Sequence, residues 1–178
     1  NYRTVRFYRK KRRDCSSLHC DVGRKVKGLS TFYFIGKMSP IPGTLGSLIG
    51  LIVGIFLLYY SSLSIFLSFL ILLFIISYIS ISLYTSDPKR SGHDPAEVII
   101  DEFLGQLISM IPIFTLAQGI RSLLIYGLIS FILFRFFDIV KPWPISYFDN
   151  MKNPLGVVLD DILAGIISAL ILFFLFSE

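Results

Sequence analysis

Apolar runs of 14 to 20 residues alternate with shorter polar segments along most of this chain. The runs do not alternate apolar and polar residues as a half-buried strand does, so they predict helices. The predicted helices cover residues 45–60, 65–84, 103–116, 123–140 and 157–176. Crossing a bilayer takes about 20 apolar residues, so the shorter runs predict either tilted spans or helices buried in a compact bundle. We expect an all-α fold, a polytopic helical membrane bundle of about four to five helices.

The composition supports a membrane protein and indicates its orientation. The chain is 54% hydrophobic, which is too apolar for an ordinary soluble domain. If each of the five runs crosses once, 16 of the 17 Lys and Arg residues fall on the side of the N-terminus, and Arg121 alone falls on the other. The positive-inside rule then places the N-terminal side in the cytoplasm.

The first 30 residues form a polar, basic leader that includes the run RKKRR at residues 9–13. We expect a mobile cytoplasmic tail attracted to anionic lipid, followed by a membrane domain over residues 31–178. Nucleic-acid binding is the alternative for such a run, but this one leads into membrane-like segments, so no nucleic-acid partner is expected. Cys15 and Cys20 form no CxxC pair, which argues against a zinc site or a disulfide framework.

Three charges stand at the end of the fourth apolar run. Arg135, Asp138 and Lys141 follow one another at intervals of three residues, which predicts that they lie along one side of the helix. Pro142 and Pro144 then end the helix. A charge at the end of a membrane helix is paired, hydrated or functional, because burying it alone is costly.

Acidic pairs enter two other apolar runs. Asp94 followed by Pro95 predicts a helix start, which would put Asp101 and Glu102 beyond the first turn, where the helix dipole does not account for them. The second pair, Asp160 and Asp161, lies in the opening turns of the last helix. We therefore expect these acids to have a functional role.

A proline- and glycine-rich loop precedes the first helix. Thr44 is a plausible N-cap, and Lys37, Thr44 and Ser47 together with free backbone N–H groups could hold a phosphate at the helix start. A capped helix entry without a ligand explains the same residues equally well. The spacing is not that of a Walker A loop.

Small residues predict where helices approach one another closely. Gly46, Gly50 and Gly54 recur every fourth residue on the first helix, and Ala164 and Gly165 lie early in the last one. Stripes of this kind let helix backbones come close in a membrane.

The same topology brings all of these charges to one membrane face, at the cytoplasmic helix ends. Five carboxylates in one place repel one another, and a divalent cation removes that repulsion. Oxygen-only ligation suits Mg²⁺ better than zinc. Arginine and lysine beside such a site suit an anionic group, so the pattern favours phosphoryl chemistry on a phospholipid.

Four motifs resemble those of the phosphatidylglycerophosphatase A family. They are residues 39–47 (SPIPGTLGS), 98–105 (VIIDEFLG), 134–145 (FRFFDIVKPWPI) with Phe148 and Asp149, and 156–165 (GVVLDDILAG). The resemblance implies a Mg²⁺-dependent phosphatase of the bacterial inner membrane, with its active site facing the cytoplasm. Its substrate would be phosphatidylglycerophosphate in the bilayer, and its products phosphatidylglycerol and phosphate. Residues 152–155 (KNPL) depart from the glycine-rich loop expected in relatives.

Our hypothesis is metal-assisted hydrolysis of the terminal phosphomonoester, which gives each of the clustered residues a role. The catalytic pool is Asp101, Glu102, Asp138, Asp160 and Asp161, and the expected metal ligands are Asp101, Glu102, Asp138 and Asp161. The expected phosphate-binding residues are Lys37, Thr44, Ser47, Arg135 and Lys141. Neighbouring side chains diverge by about 100° on a helix, so one acid of each pair would face the metal while the other orients a neighbour.

Two alternatives come from other classes of protein. A CDP-alcohol phosphotransferase also clusters aspartates at helix ends, but its Asp-Gly-x-x-Ala-Arg motif is absent from this sequence. A small transporter or membrane-assembly subunit would more often place its acids near the middle of the bilayer.

Overall fold

The computed structural model describes residues 42–85, 99–151 and 153–177. Within these ranges the chain forms helices and no strand, which confirms the predicted all-α class. The helices are α1 (Pro42–Tyr60), α2 (Leu63–Thr85), α3 (Ile100–Ser109), α4 (Ile113–Leu116), α5 (Ile120–Val140), α6 (Ile145–Asp149) and α7 (Pro154–Phe176). The basic leader, Lys37 and the helix start predicted at Asp94 lie outside the described residues.

Four of these helices, α1, α2, α5 and α7, are long and apolar enough to cross a membrane. The third apolar run is different, because it is divided into α3 and α4 by a turn that ends at Pro112. Proline has no N–H for a helical hydrogen bond, which favours a break at this point. Helix α3 has only 10 residues, yet it contacts α1, α2, α5 and α7 and is largely buried. It is therefore the centre of the bundle.

The glycine stripe of α1 makes a close helix contact, as predicted, and its partner is α3. A Cβ atom at Gly46 would lie 2.8 Å from the carbonyl oxygen of Ile99. A Cβ atom at Gly54 would lie 2.5 Å from the sulfur of Met110, and Gly50 faces the part of α3 in between. Later residues of α1 meet later residues of α3, so the two helices run parallel and in close contact.

A second close contact joins α3 and α7. A Cβ atom at Gly105 would lie 2.7 Å from the carbonyl oxygen of Asp161, and one at Gly165 would collide with the carbonyl oxygen of Gly105. Gly165 also faces Ile108, so α7 runs parallel to α3 as well. The close approach predicted at Ala164 and Gly165 is confirmed.

Helix α5 runs in the opposite direction to α3. Phe134 packs on Gly105, while Ser130 lies one turn earlier on α5 and contacts Ser109, one turn later on α3. The end of α5 therefore meets the starts of α1, α3 and α7. Helix α2 also runs back, because two residues separate it from α1 and its Phe66 ring lies 5.3 Å from that of Phe114 in α4.

A small polar cluster lies inside the bundle between α3 and α5. The hydroxyl groups of Ser109 and Ser130 are 2.6 Å apart, and the Gln106 amide nitrogen donates to Ser130 at 3.4 Å. All three residues are fully buried. Such contacts hold membrane helices together because no water competes for the polar groups.

Two predictions about residues near helix starts are wrong. Helix α1 begins at Pro42, so Thr44 lies inside its first turn and is not the N-cap. Proline is favoured in the first helical turn, where its missing N–H costs nothing. Helix α3 begins at Ile100, so Asp101 and Glu102 lie in its first turn and not beyond it. The helix dipole consequently favours both acids, in addition to any functional role.

Candidate active site

The site lies where the starts of α1, α3 and α7 meet the end of α5. The structure brings together nearly all of the residues predicted from the sequence: Thr44, Ser47, Asp101, Glu102, Arg135, Asp138, Lys141, Asp160 and Asp161. Lys37 lies outside the described residues. The parallel and antiparallel arrangement of the helices therefore creates one ionic cluster at one end of the bundle.

Arg135 is the cation that links three of the helices. Its guanidinium group pairs with Asp138 on the same helix and lies 3.9 Å from a carboxylate oxygen of Glu102 on α3. It also donates to the hydroxyl groups of Ser47, at 3.3 Å, and Thr44, at 3.4 Å, on α1. The predicted common side of α5 for Arg135 and Asp138 is confirmed. The side chain of Arg135 is only 15% exposed, so its position is defined by these partners.

Ser47 and Thr44 position Arg135 by accepting hydrogen bonds from its guanidinium group. Ser47 is fully buried, and its hydroxyl group donates to the carbonyl oxygen of Gly43 at 2.9 Å while it accepts from Arg135. A direct bond from Ser47 or Thr44 to a phosphate stays a prediction. The observed contacts explain why hydroxyl residues stand at these two positions on the first turns of α1.

Gly43 leaves the space that Glu102 and Arg135 occupy. A Cβ atom at Gly43 would overlap a carboxylate oxygen of Glu102 and lie 3.3 Å from a guanidinium nitrogen of Arg135. The prolines and glycines around Gly43 predict an irregular loop at this position. In the structure Gly43 is a helical residue whose missing side chain admits an ion pair between α3 and α5.

Lys141 is the second cation, and it is not on the helix. Helix α5 ends at Val140, and Lys141 adopts a left-handed backbone conformation with φ of 43°. The prediction that it continues the line of Arg135 and Asp138 is wrong, because a residue before proline avoids the right-handed helical conformation. Its amine instead turns towards α7 and hydrogen-bonds Asp160 at 2.7 Å.

A second carboxylate, that of Asp149 at the end of α6, also accepts a hydrogen bond from Lys141. Burial opposes the charge of Lys141, but the two carboxylates outweigh burial and raise the pKa of the amine above its ordinary value. Lys141 therefore remains protonated. Asp149 belongs to one of the four family motifs, but the sequence pattern does not predict it as a site residue, because eight residues and the end of a helix separate it from Lys141.

Three of the four acids in the pairs Asp101–Glu102 and Asp160–Asp161 are deeply buried. Asp101, Asp160 and Asp161 are 6%, 6% and 5% exposed. In each pair the first carboxylate accepts a hydrogen bond from the backbone N–H of the second residue, at 3.1 Å from Glu102 and 3.0 Å from Asp161. Within the described part of the chain, neither Asp101 nor Asp161 has a salt bridge. These two acids lie close enough to repel one another when both are ionised, so the ionised pair requires a nearby cation.

The negative charge that these carboxylates carry when ionised, together with their oxygen atoms, fits a divalent metal ion. One carboxylate oxygen of Glu102 is buried and has no hydrogen-bond partner, and burying such an atom is costly unless something binds it. The donors are all carboxylate oxygens, which suit Mg²⁺. Among the described residues, no three His, Cys, Asp or Glu side chains are arranged to hold a metal ion as they stand. Mg²⁺ and its four predicted ligands therefore stay predictions.

The fold and the site together define a polytopic membrane protein with an ionic site where four helix ends meet. A family model of phosphatidylglycerophosphatase A matches residues 28–176, which is most of the chain. The chain belongs to the phosphatidylglycerophosphatase A family. The resemblance stated from its four motifs is thus confirmed.

Two relatives carry the name of the family, and a third carries the name of another lipid phosphatase. The chain is 40% identical over 139 residues to phosphatidylglycerophosphatase A of Haemophilus influenzae, covering 78% of this chain and 80% of that protein. It is 39% identical over 85 residues to phosphatidylglycerophosphatase A of Escherichia coli, covering 47% and 45%. A Bacteroides thetaiotaomicron protein, provisionally named a phosphatidylinositol-3-phosphatase, is 34% identical over 136 residues, covering 74% and 80%. No match is found among the solved structures.

Proposed function

We propose that this protein hydrolyses the terminal phosphomonoester of phosphatidylglycerophosphate, giving phosphatidylglycerol and phosphate. The observation that carries the proposal is the meeting of two cations and a set of buried carboxylates at one end of a membrane bundle. Membership of the phosphatidylglycerophosphatase A family supports the reaction and the substrate. It also favours a phosphatase over a phosphotransferase or a transporter.

The two cations bind the phosphate. Lys141 is 30% exposed and Arg135 is 15% exposed, so Lys141 is the more accessible of the two. A phosphate that reaches Lys141 competes with Asp149, whose side chain is 38% exposed, more readily than with the buried Asp160. Arg135 then contributes planar donors suited to two phosphate oxygens.

The acids divide into two groups by their present partners. Asp138 holds Arg135, and Asp160 holds Lys141, so both orient a cation. Asp101, Glu102 and Asp161 have carboxylate oxygens that make no close ion pair within the described residues. We assign these three to Mg²⁺, with Asp138 as the fourth predicted ligand. When bound, Mg²⁺ would neutralise phosphate charge and lower the pKa of a water molecule.

The reaction is tested by measuring phosphate release from phosphatidylglycerophosphate with purified protein in lipid micelles. Asp101→Asn and Asp161→Asn should each abolish release, because each removes a charge that no described salt bridge satisfies. Removing Mg²⁺ with EDTA should do the same, and adding Mg²⁺ back should restore it. Both variants should still insert into the membrane, which separates a chemical defect from misfolding.

Two results would contradict this proposal. Full activity in both asparagine variants would overturn the roles of the acids. Faster release from phosphatidylinositol 3-phosphate than from phosphatidylglycerophosphate would overturn the substrate, and the Bacteroides relative makes that comparison the informative one.

We further propose that the protein lies in the bacterial inner membrane with this site towards the cytoplasm. The support is the distribution of basic residues, of which Arg121 alone falls at the opposite end when the segments cross in turn. A cytoplasmic site would meet its lipid substrate in the inner leaflet.

A further inference from the structure

The outer side of α5 is a continuous row of apolar side chains that runs past the end of the helix. Residues spaced by four along it are all 45% to 66% exposed: Leu124, Leu128, Ile132, Phe136 and Val140. Beyond the helix, Trp143 is 82% exposed and Tyr147 is 60% exposed. The opposite side of α5 carries buried Phe134 and the ion pair of Arg135 with Asp138. One helix thus separates the lipid-facing surface from the site.

The length of α5 shows where this row ends in a bilayer. Its 21 residues rise by 1.5 Å each, which gives a length of about 32 Å. The hydrocarbon layer is about 30 Å thick. If Ile120 lies at one boundary of this layer, Val140 lies at the other, and Trp143 stands three residues beyond it. Tryptophan and tyrosine favour that boundary because each has an apolar ring and a polar group.

Lys141 lies between the two regions. Val140 before it faces outwards, and Trp143 follows it two residues later and is even more exposed. The Lys141 amine turns inwards to Asp160. The short connection from α5 to α6 therefore has an apolar outer surface and a cationic inner one. At a bilayer surface, acyl chains would contact the apolar outer surface of this connection, and lipid phosphates would contact its cationic inner surface.

We propose that Trp143 and Tyr147 anchor this connection in the headgroup region of the bilayer and hold Lys141 at the level of the lipid phosphates. The partner of this surface is the bilayer itself, because the surface continues the lipid-facing row of α5. The statement about Lys141 and the substrate rests on the proposed function. The position of the two rings does not.

Trp143 is the one tryptophan of the chain, so its fluorescence reports this position directly. The full-length protein is placed in phosphatidylcholine vesicles whose acyl chains carry bromine near the headgroup or near the chain end. We expect the shallow bromines to quench Trp143 at least twofold more than the deep ones. Stronger quenching by the deep bromines would overturn the proposal. So would protection from both bromines, which would indicate that a protein segment covers the ring.

A kinetic test uses Trp143→Ala. The variant should raise KM for phosphatidylglycerophosphate in vesicles by roughly fivefold, because an apolar ring no longer enters the bilayer. It should leave hydrolysis of a water-soluble, short-chain analogue unchanged, and Trp143→Phe should restore most of the loss. Tyr60→Ala is the matched control, because Tyr60 is an exposed aromatic residue at the end of α1 that lies away from the site. An unchanged KM in vesicles would overturn the role of the anchor.

The two kinds of failure are distinguishable. If Trp143 is quenched by shallow bromines but the protein releases no phosphate from phosphatidylglycerophosphate, the anchor stands and the proposed function fails. If phosphate is released but the shallow bromines do not quench Trp143, the function stands and the anchor fails.

Discussion

Arg135 and Lys141 show how single residues of this protein keep cations at the boundary of a membrane. Arg135 pairs with Asp138 on its own helix and with Glu102 on α3. Lys141 pairs with Asp149 on α6 and with Asp160 on α7. Burial of a charge is tolerated when it is paired in this way. In the proposed function this pairing orients the cations before a phosphate arrives, so little side-chain freedom would be lost on binding.

Gly43 is the residue where a small change should have a large effect on activity. In Gly43→Ala the added methyl group overlaps the Glu102 carboxylate, so Glu102 and Arg135 must move apart or shift together. We expect phosphate release to fall at least tenfold, since displacements of about 1 Å at a catalytic site cost that much or more. Steady-state rates in lipid micelles measure the effect.

Gly119→Ala provides the control for that experiment. No atom outside its own neighbourhood lies within 4 Å of a Cβ atom at Gly119, and its backbone is extended, a conformation that any residue adopts. This variant should keep full activity. Equal rates for the two alanine variants would show that the space at Gly43 does not matter to the site.

At the scale of the elements, α3 organises the molecule although it is too short to span a bilayer. Its first turn carries Asp101 and Glu102, and its second and third turns carry the buried polar cluster formed by Gln106 and Ser109 with α5. The glycines of α1 and α7 let both helices approach it closely. The relative position of α3 and α7 therefore determines how near Asp101 lies to Asp161.

Gly165→Ala tests this arrangement. Its methyl group would meet the backbone oxygen of Gly105, which cannot turn aside as a side chain can. We expect the free energy of unfolding to fall by roughly 1–3 kcal/mol, and phosphate release to fall with it because α7 carries Asp161. Thermal unfolding in detergent, followed by circular dichroism, measures the first effect.

The matched substitution is Gly127→Ala on α5. There the new methyl group would lie 3.2 Å from the end of the Leu51 side chain, which can rotate. We expect little change in stability or activity. If Gly165→Ala were as stable as Gly127→Ala, the close contact between α3 and α7 would not limit the packing of the bundle.

At the scale of the whole molecule, the alternating directions of the helices put every described site residue at one end. The opposite end carries Arg121 and a partly open pocket of about 190 Å³, lined by residues that include Leu58, Ile113 and Leu123. This difference between the two ends predicts which side of a membrane each one faces.

Cysteine labelling tests that orientation in cells. In a variant with Cys15 and Cys20 replaced by serine, Arg121→Cys should react with a membrane-impermeant maleimide in spheroplasts. Asn150→Cys, which is exposed next to the site, should react only after the membrane is opened. The positive-inside rule is the reason for this expectation. The reverse pattern of labelling would place the site on the outside.

Much of the fold and of the site could be predicted from local sequence features. The length of the apolar runs indicated membrane helices, since a bilayer admits few other structures. Gly46, Gly50 and Gly54 indicated a packing face by their spacing alone. The pairs of acids and the charges near Pro142 indicated a site because charge is costly in such surroundings.

The tertiary structure alone decided how these residues meet. Asp149 reaches Lys141 only because the chain leaves α5 in a left-handed conformation and returns through α6. Ser47 serves Arg135 because α1 lies beside α5 at that level. Gly43 is needed because a carboxylate from α3 fills its place. Hydropathy and spacing report on one segment at a time, whereas these contacts depend on the directions and separations of helices that are distant in the chain.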